Sequence, residues 1–282
     1  MENIISSINK TLDDISVGKK DISEELIEQF GEDIKQSLRE WATPKETKDF
    51  RLRVSNVGQP LRKLWFQKRK ENNNEPISAA LNLKFLYGHL LETLVIFLVR
   101  LAGNKVTDQQ KEVSINGIKG HLDCKINGKV VDIKSASRFA FNKFNKGLLP
   151  EDDPFGYITQ LTAYEHAEKA EGSYFLVINK EDGELCTYAP DELDKPEIPS
   201  LVTHVLNSLD STTTPDKCFA TVSEGKKGNK RLNKNCVYCE FKGECYKESN
   251  NGKGLRVFNY SKGPVFLETV VSEPKVEEIY EW

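Results

Sequence analysis

Apolar and polar positions divide the chain into stretches of distinct periodicity. Residues 1 to about 50 are mostly polar but repeat helically, and "EELIEQFGEDIKQSLREW" sets Leu26, Phe30, Ile34 and Leu38 on one stripe. Helices of this kind are expected to pack on a main domain. "ENNNEP" at 71–76 is a polar break. From Ala79 to Ala102 the pattern is one long apolar helix, ended by Gly103-Asn104. Its most apolar run, Leu94 to Val99, lies between Glu92 and Arg100 and is too short to span a bilayer. Strands follow, punctuated by Asn116-Gly117 and Asn127-Gly128, the strongest short hairpin signals. After a looser segment at 137–152, Asp153-Pro154 reads as the N-cap and first residue of a helix reaching about Ala170. "GSYFLVINK" and "ELCTYA" read as strands, and a helix is expected near 191–209. The order helix, three-strand meander, helix, strand predicts an α/β (α+β) fold with a mixed sheet. Expected boundaries are an N-terminal helical region 1–78, a core 79–210, a cysteine- and lysine-rich region 211–254, and an extended tail 255–282.

The Asn127-Gly128 loop fixes a hairpin register. Ile126 then pairs with Lys129, Lys125 with Val130 and Cys124 with Val131, which sets Asp123 opposite Asp132. The two Cβ atoms would be roughly 5 Å apart. Lys134 falls on the same face as Asp132, while Val131 and Ile133 point to the other. Facing carboxylates destabilise a hairpin, by roughly 3 kcal/mol at an effective dielectric of about 20. A cation neutralising both reverses that penalty, and hard divalent ions such as Mg²⁺ favour such oxygens. The alternative is a solvated face on which Lys134 neutralises one aspartate.

Glu92 interrupts the apolar helix and shares a face with Phe85, Gly88, Val95, Ile96 and Val99. A carboxylate there needs a partner, a proton or a metal; Arg100 is the alternative partner. Gly88, one turn earlier, would admit another backbone or a ligand, and His89 is a further candidate metal ligand. Gln160 and Tyr164, four residues apart, share one face of the later helix, where an amide and a phenol could hold a phosphate or orient the lysine.

Charge and cysteine content narrow the partners. A net charge of -3 and a pI near 6.0 leave no globally basic surface, so any polyanion must be met by local patches. Arg62 and Lys63 belong to one basic cluster, and "SRFAFNKFNKG" interleaves Arg138, Lys143 and Lys146 with Phe139, Phe141 and Phe144. Cations that track phosphates and rings that stack bases suit single-stranded nucleic acid. The start of the chain has no secretory pattern, which predicts a cytoplasmic protein with no membrane partner. Six cysteines then imply reduced thiols or metal ligands. Cys236, Cys239 and Cys245 have metal-ligand spacing, with Cys218 as a fourth candidate, whereas Cys124 and Cys186 read as core. The acidic end "EEIYEW" could dock on a protein partner or cover the site.

Gly88-x-x-x-Glu92, Gly120-His121-Leu122-Asp123, Asp132-Ile133-Lys134 and Gln160-x-x-x-Tyr164, in that order, resemble the PD-(D/E)xK nuclease superfamily, and its RecB-type branch in particular. "SNVGQPLRKLWF" and "CVYCEFKGEC" extend the likeness to bacteriophage exonucleases and CRISPR adaptation nucleases. The resemblance implies a restriction-endonuclease-like αβββαβ core with added N-terminal helices and a C-terminal cysteine-containing extension. It implies a Mg²⁺- or Mn²⁺-dependent deoxyribonuclease, with Glu92, Asp123, Asp132 and the Ile133 carbonyl as ligands. Lys134 would position or deprotonate water, supported by Gln160 and Tyr164. The expected role is an exonuclease on DNA ends or single strands in phage-type replication, recombination or repair. An endonuclease on the same core and an inactive DNA-binding protein are the alternatives. Relatives with a [4Fe-4S] cluster carry a cysteine where this chain has Pro60, which leaves three options open: Cys218 completes the cluster, Zn²⁺ takes all four thiolates, or the thiols hold no metal.

Overall fold

The structure, a computed structural model, describes residues 4–43, 50–70 and 78–279. The polar break at 71–76 and the last three residues of the acidic end lie outside these. In chain order the elements begin with α1 (Ile4–Ser16), α2 (Glu24–Ala42), α3 (Leu61–Arg69) and α4 (Ala79–Leu101). Strands β1 (Val106–Thr107), β2 (Glu112–Ile115), β3 (Ile118–His121), β4 (Cys124–Ile126) and β5 (Lys129–Ala136) follow. Next come α5 (Arg138–Asn145), α6 (Tyr157–Glu168), β6 (Ser173–Asn179), β7 (Leu185–Tyr188) and α7 (Ile198–Asp210). The remainder holds β8 (Val222–Glu224), β9 (Asn229–Arg231), the short turns α8 (Lys234–Val237), α9 (Lys242–Cys245) and α10 (Ser249–Gly252), then β10 (Arg256–Tyr260), β11 (Gly263–Thr269) and β12 (Glu278–Ile279).

Two compact units divide the chain, one of residues 1–58 and 71–206, the other of 59–70 and 207–282. The first is a mixed α/β fold around a five-stranded sheet of order β1-β4-β5-β6-β7. The β5–β6 pair is parallel, and the other neighbours are antiparallel. On one face Val131, Ile133, Leu176 and Ile178 pack with Val95, Ile96 and Val99 of α4 and with Ile8 of α1. By length and composition alone α4 could cross a membrane, but its C-terminal half is this core helix. Against the other face lie α5 and α6, and Phe144 meets Phe175 edge-on at 5.3 Å. Burying each such side chain contributes roughly 1.5–3 kcal/mol.

The Asn127-Gly128 turn has φ of 50° and 84°, a two-residue turn that matches strand twist. It delivers the expected pairs Cys124↔Val131, Lys125↔Val130 and Ile126↔Lys129. Asn116-Gly117 also turns a hairpin, but β2 and β3 form a separate two-stranded sheet, not part of a three-strand meander. The segment expected to be loose at 137–152 opens with α5, because the Ser137 hydroxyl caps it and Phe141 and Phe144 bury. Helix α6 starts at Tyr157, later than the Asp153-Pro154 pair suggests. Asp153 still caps it, but at a distance, its carboxylate accepting from the N–H groups of Tyr157 at 3.0 Å and Ile158 at 2.9 Å.

The intervening Gly156 adopts φ +72°, and a Cβ there would lie 2.2 Å from the Gly58 carbonyl carbon. Gly156→Ala is therefore expected to cost about 3 kcal/mol or more. A lowered urea midpoint checks this, and an unchanged midpoint would show that the Gly58 backbone can yield.

In the second unit α3 buries Leu64 and Trp65, and the Trp65 indole donates to the Ser211 carbonyl at 2.9 Å. A five-stranded sheet of order β12-β10-β11-β9-β8 replaces the extended tail expected over 255–282. Because β9 pairs with β11, the regions 211–254 and 255–282 are one body, and α3 belongs to it rather than to an N-terminal region 1–78. Glu278 of the acidic end is taken up by Arg256 at 2.6 Å, a contact within this sheet.

Candidate functional site

Strand β5 places Asp132 and Lys134 two residues apart on the face opposite Val131 and Ile133. Asp132 is 1% exposed, and the Lys134 ammonium lies 2.6 Å from its Oδ2. That approach is poorly directed, so Oδ2 has no well-aligned hydrogen-bond donor. The other oxygen, Oδ1, accepts from the Gln160 amide at 3.1 Å. Gln160 and Tyr164 both bury on α6, along with Leu161, Thr162 and Ala163 between them. The Tyr164 ring also explains Gly120, where a Cβ would stand 3.1 Å from its Cε1 and 2.6 Å from the Val54 Cβ.

Asp123 departs from the expected cross-strand pairing with Asp132. The β4 ladder stops at Cys124, and the Asp123 carboxylate instead accepts from the N–H of Ile133 at 2.7 Å. A side chain thus takes the place of the next ladder bond.

Glu92 on α4 accepts from the Gln110 amide at 2.9 Å, while Arg100 pairs with Asp33. Burial, then the charge of Asp132, pushes the Glu92 carboxyl up to about 7. Asp123 is raised well above the usual carboxylate range by burial, then by Asp132 and Glu92. Burial alone would lower the Lys134 pKa, but Asp132 and Asp123 outweigh it and hold the amine protonated. Three carboxylates in mutual repulsion with one buried ammonium make an electron-rich centre suited to hard cations.

Among the described residues no group of three His, Cys, Asp or Glu side chains closes around a metal position as it stands. His89 is half-buried on α4, its carbonyl accepting from the Thr93 hydroxyl. Gly88 fronts open space rather than another backbone.

Four of the six cysteines sit in the second unit, Cys218 exposed and Cys236, Cys239 and Cys245 half-buried. Burial, then the neighbouring Cys218, pushes the Cys236 thiol up to about 11 against the pull of a Tyr246 hydrogen bond. Arg62 donates to the Cys245 sulfur at 3.3 Å and to the Pro215 carbonyl, so it is a structural tie rather than a free phosphate contact. Lys63 reaches Gln59. Cys124 and Cys186 are core, as expected.

Of the residues expected to hold nucleic acid, Phe141 is corrected outright: it is 1% exposed and cannot meet a base. Arg138 pairs with Asp182, and Lys143 with Asp152 at 2.6 Å, whereas Lys146 is exposed at the end of α5.

Sequence reasoning missed three residues. Gln110 lies in a turn that carries no local signal. Tyr157, whose ring centroid is 4.8 Å from the Lys134 nitrogen, was legible as the position three before Gln160 on the same face. Phe155 stacks on Tyr157 from outside the helix, where periodicity does not reach.

No protein-family model and no curated protein matches the chain. Among solved structures, the alkaline exonuclease LHK-Exo from Laribacter hongkongensis is 18% identical at a TM-score of 0.41, covering 61% of this chain and 92% of its own. The same exonuclease in complex with dAMP is 17% identical at 0.39, covering 56% and 87%. The protein SSO0001 is 18% identical at 0.38, covering 76% and 94%. These likenesses are too distant to assign an activity to this chain.

Proposed function

We propose that this chain is a divalent-metal-dependent DNA nuclease, acting as an exonuclease on ends with single-stranded character. The observation that carries the reading is the buried Asp132–Lys134 pair clasped by Gln160, with Glu92 and Asp123 in electrostatic contact. The donor set suits Mg²⁺ or Mn²⁺: all carboxylate oxygens, one of them buried without a directed donor. Glu92, Asp123 and Asp132 would hold the ion, which supplies Lewis-acid polarisation of the phosphate and acidifies a bound water.

The chain's own groups do the rest. Protonated Lys134 donates to a non-bridging phosphate oxygen and stabilises the charge that builds there during attack. Gln160 holds the Asp132 carboxylate in one orientation, and the Tyr157 ring confines the Lys134 ammonium.

End-labelled linear and covalently circular single-stranded DNA, each with Mg²⁺, with Mn²⁺ or with chelator, test this. Metal-dependent loss of the linear form alone is expected. Loss of both forms would make the chain an endonuclease, and loss of neither would reduce it to a binding protein.

A further inference from the structure

Between the strand of Asp132 and Lys134 and the helix of Gln160 runs a segment that ends in an exposed ring. Phe155 is 54% exposed, yet it is firmly held. One side of it is fixed by Asp153, whose carboxylate takes two helix N–H groups, and the other by Gly156, which is locked against Gly58. Its ring stacks on Tyr157 with centroids 5.3 Å apart and planes 24° from parallel. Tyr157 is backed in turn by Phe144 at 6.1 Å and Phe175 at 6.5 Å, both buried. Its ring lies 4.8 Å from the ammonium of Lys134. A rigid, anchored ring left open to water, one contact from the ring beside the reacting cation, gains little for folding. It matches what a flat apolar ligand beside a phosphate requires. Phe139, more exposed at 71%, has the Lys143 ammonium 5.4 Å from its ring and no such path to Lys134.

We infer that Phe155 is the stacking platform for an unpaired nucleobase on the nucleotide adjoining the phosphate at Lys134. This rests on the nuclease reading and deepens it. A base can lie on Phe155 only when it is free of its partner, so the platform selects single strands and frayed ends over closed duplex. Stacking of this kind is sequence-tolerant, because every base presents a π-face.

The test uses short single strands carrying 2-aminopurine at successive positions from one end, with Ca²⁺ in place of Mg²⁺ to suppress turnover. The native chain is expected to quench fluorescence at one position, Phe155→Ala to abolish that quench, and Phe155→Trp to keep it. In cleavage assays with Mg²⁺, Phe155→Ala should lower kcat/KM on single strands roughly ten- to hundred-fold. An abasic residue at the quenched position should cost the native chain the same factor and cost Phe155→Ala nothing further. Quenching that survives in Phe155→Ala, absence of quenching at every position, or losses that multiply would overturn the platform. Failure of the native chain to cleave any DNA would instead overturn the nuclease reading, since the quench is read without turnover.

Discussion

Asp132→Asn is expected to abolish DNA cleavage, by at least about a thousand-fold, while the chain stays folded. The change keeps the shape of a side chain that is 1% exposed and removes only its charge. That charge is what Lys134 faces at 2.6 Å and what would meet a divalent ion. Breaking a buried ion pair from one side usually costs several kcal/mol. Here the loss is offset, because the same charge repels Glu92 and Asp123. Activity should therefore collapse while the thermal midpoint moves little. Lys134→Met should be as inactive but less stable, since three carboxylates are then left with no ammonium among them. Cleavage of end-labelled single strands, read alongside thermal denaturation, checks both variants. An Asp132→Asn chain within tenfold of native activity would sink the site assignment.

A second large effect is expected in the response of stability to pH. Burial, with Asp132 next, carries the Glu92 carboxyl from the ordinary 4.5 to about 7 in the folded chain. Below pH 4.5 the group is protonated whether the chain is folded or not, and it contributes no pH dependence. As pH rises from 4.5 towards 7 the unfolded chain gives up this proton first, so the folded state loses ground. Above that window the penalty is constant, at most about 3 kcal/mol for this group. Asp123, raised by burial and by the same neighbours, adds to it in the same direction. The metal-free chain should thus melt lower at about pH 8 than at about pH 5, opposite to the usual effect of paired carboxylates. Millimolar Mg²⁺ should restore the midpoint at the higher pH, and Glu92→Gln should flatten the profile. Calorimetry of the chelator-treated chain decides this, and a midpoint that rises steadily with pH would contradict it.

What the sequence made legible follows from how local each signal is. The β4–β5 register came from one Asn-Gly pair, because a two-residue turn with positive φ at both positions leaves no freedom to slip. Gln160 and Tyr164 could be placed together because four residues bring a helix back to the same face. Asp123 escaped because the outcome was a competition between a ladder pair and a side-chain bond to Ile133, which pattern does not weigh. Phe141 and Phe155 show a similar limit. Alternation of rings and cations in "SRFAFNKFNKG" suggested a stacking surface, but the stretch forms an amphipathic helix that turns Phe141 into the core. The exposed ring beside the site is Phe155, fixed by contacts that Gly58 makes from far away in sequence. Likewise α3 joins a unit whose other residues begin past position 206, and no local periodicity announces a partner that distant. The β10–β11 hairpin, Arg256–Tyr260 with Gly263–Thr269, escaped for a related reason: its buried residues Val257 and Phe258 are sequence neighbours, so neither strand shows the alternation that marks a half-buried strand.

Manganese binding followed by electron paramagnetic resonance tests the shared-ion site most directly. Titration of Mn²⁺ into the native chain is expected to show saturable loss of the free-ion signal, competed by Mg²⁺. Asp132→Asn, Asp123→Asn and Glu92→Gln should each weaken that uptake at least about tenfold, as loss of a first ligand does. If all three variants bind manganese as the native chain does, these carboxylates do not share an ion.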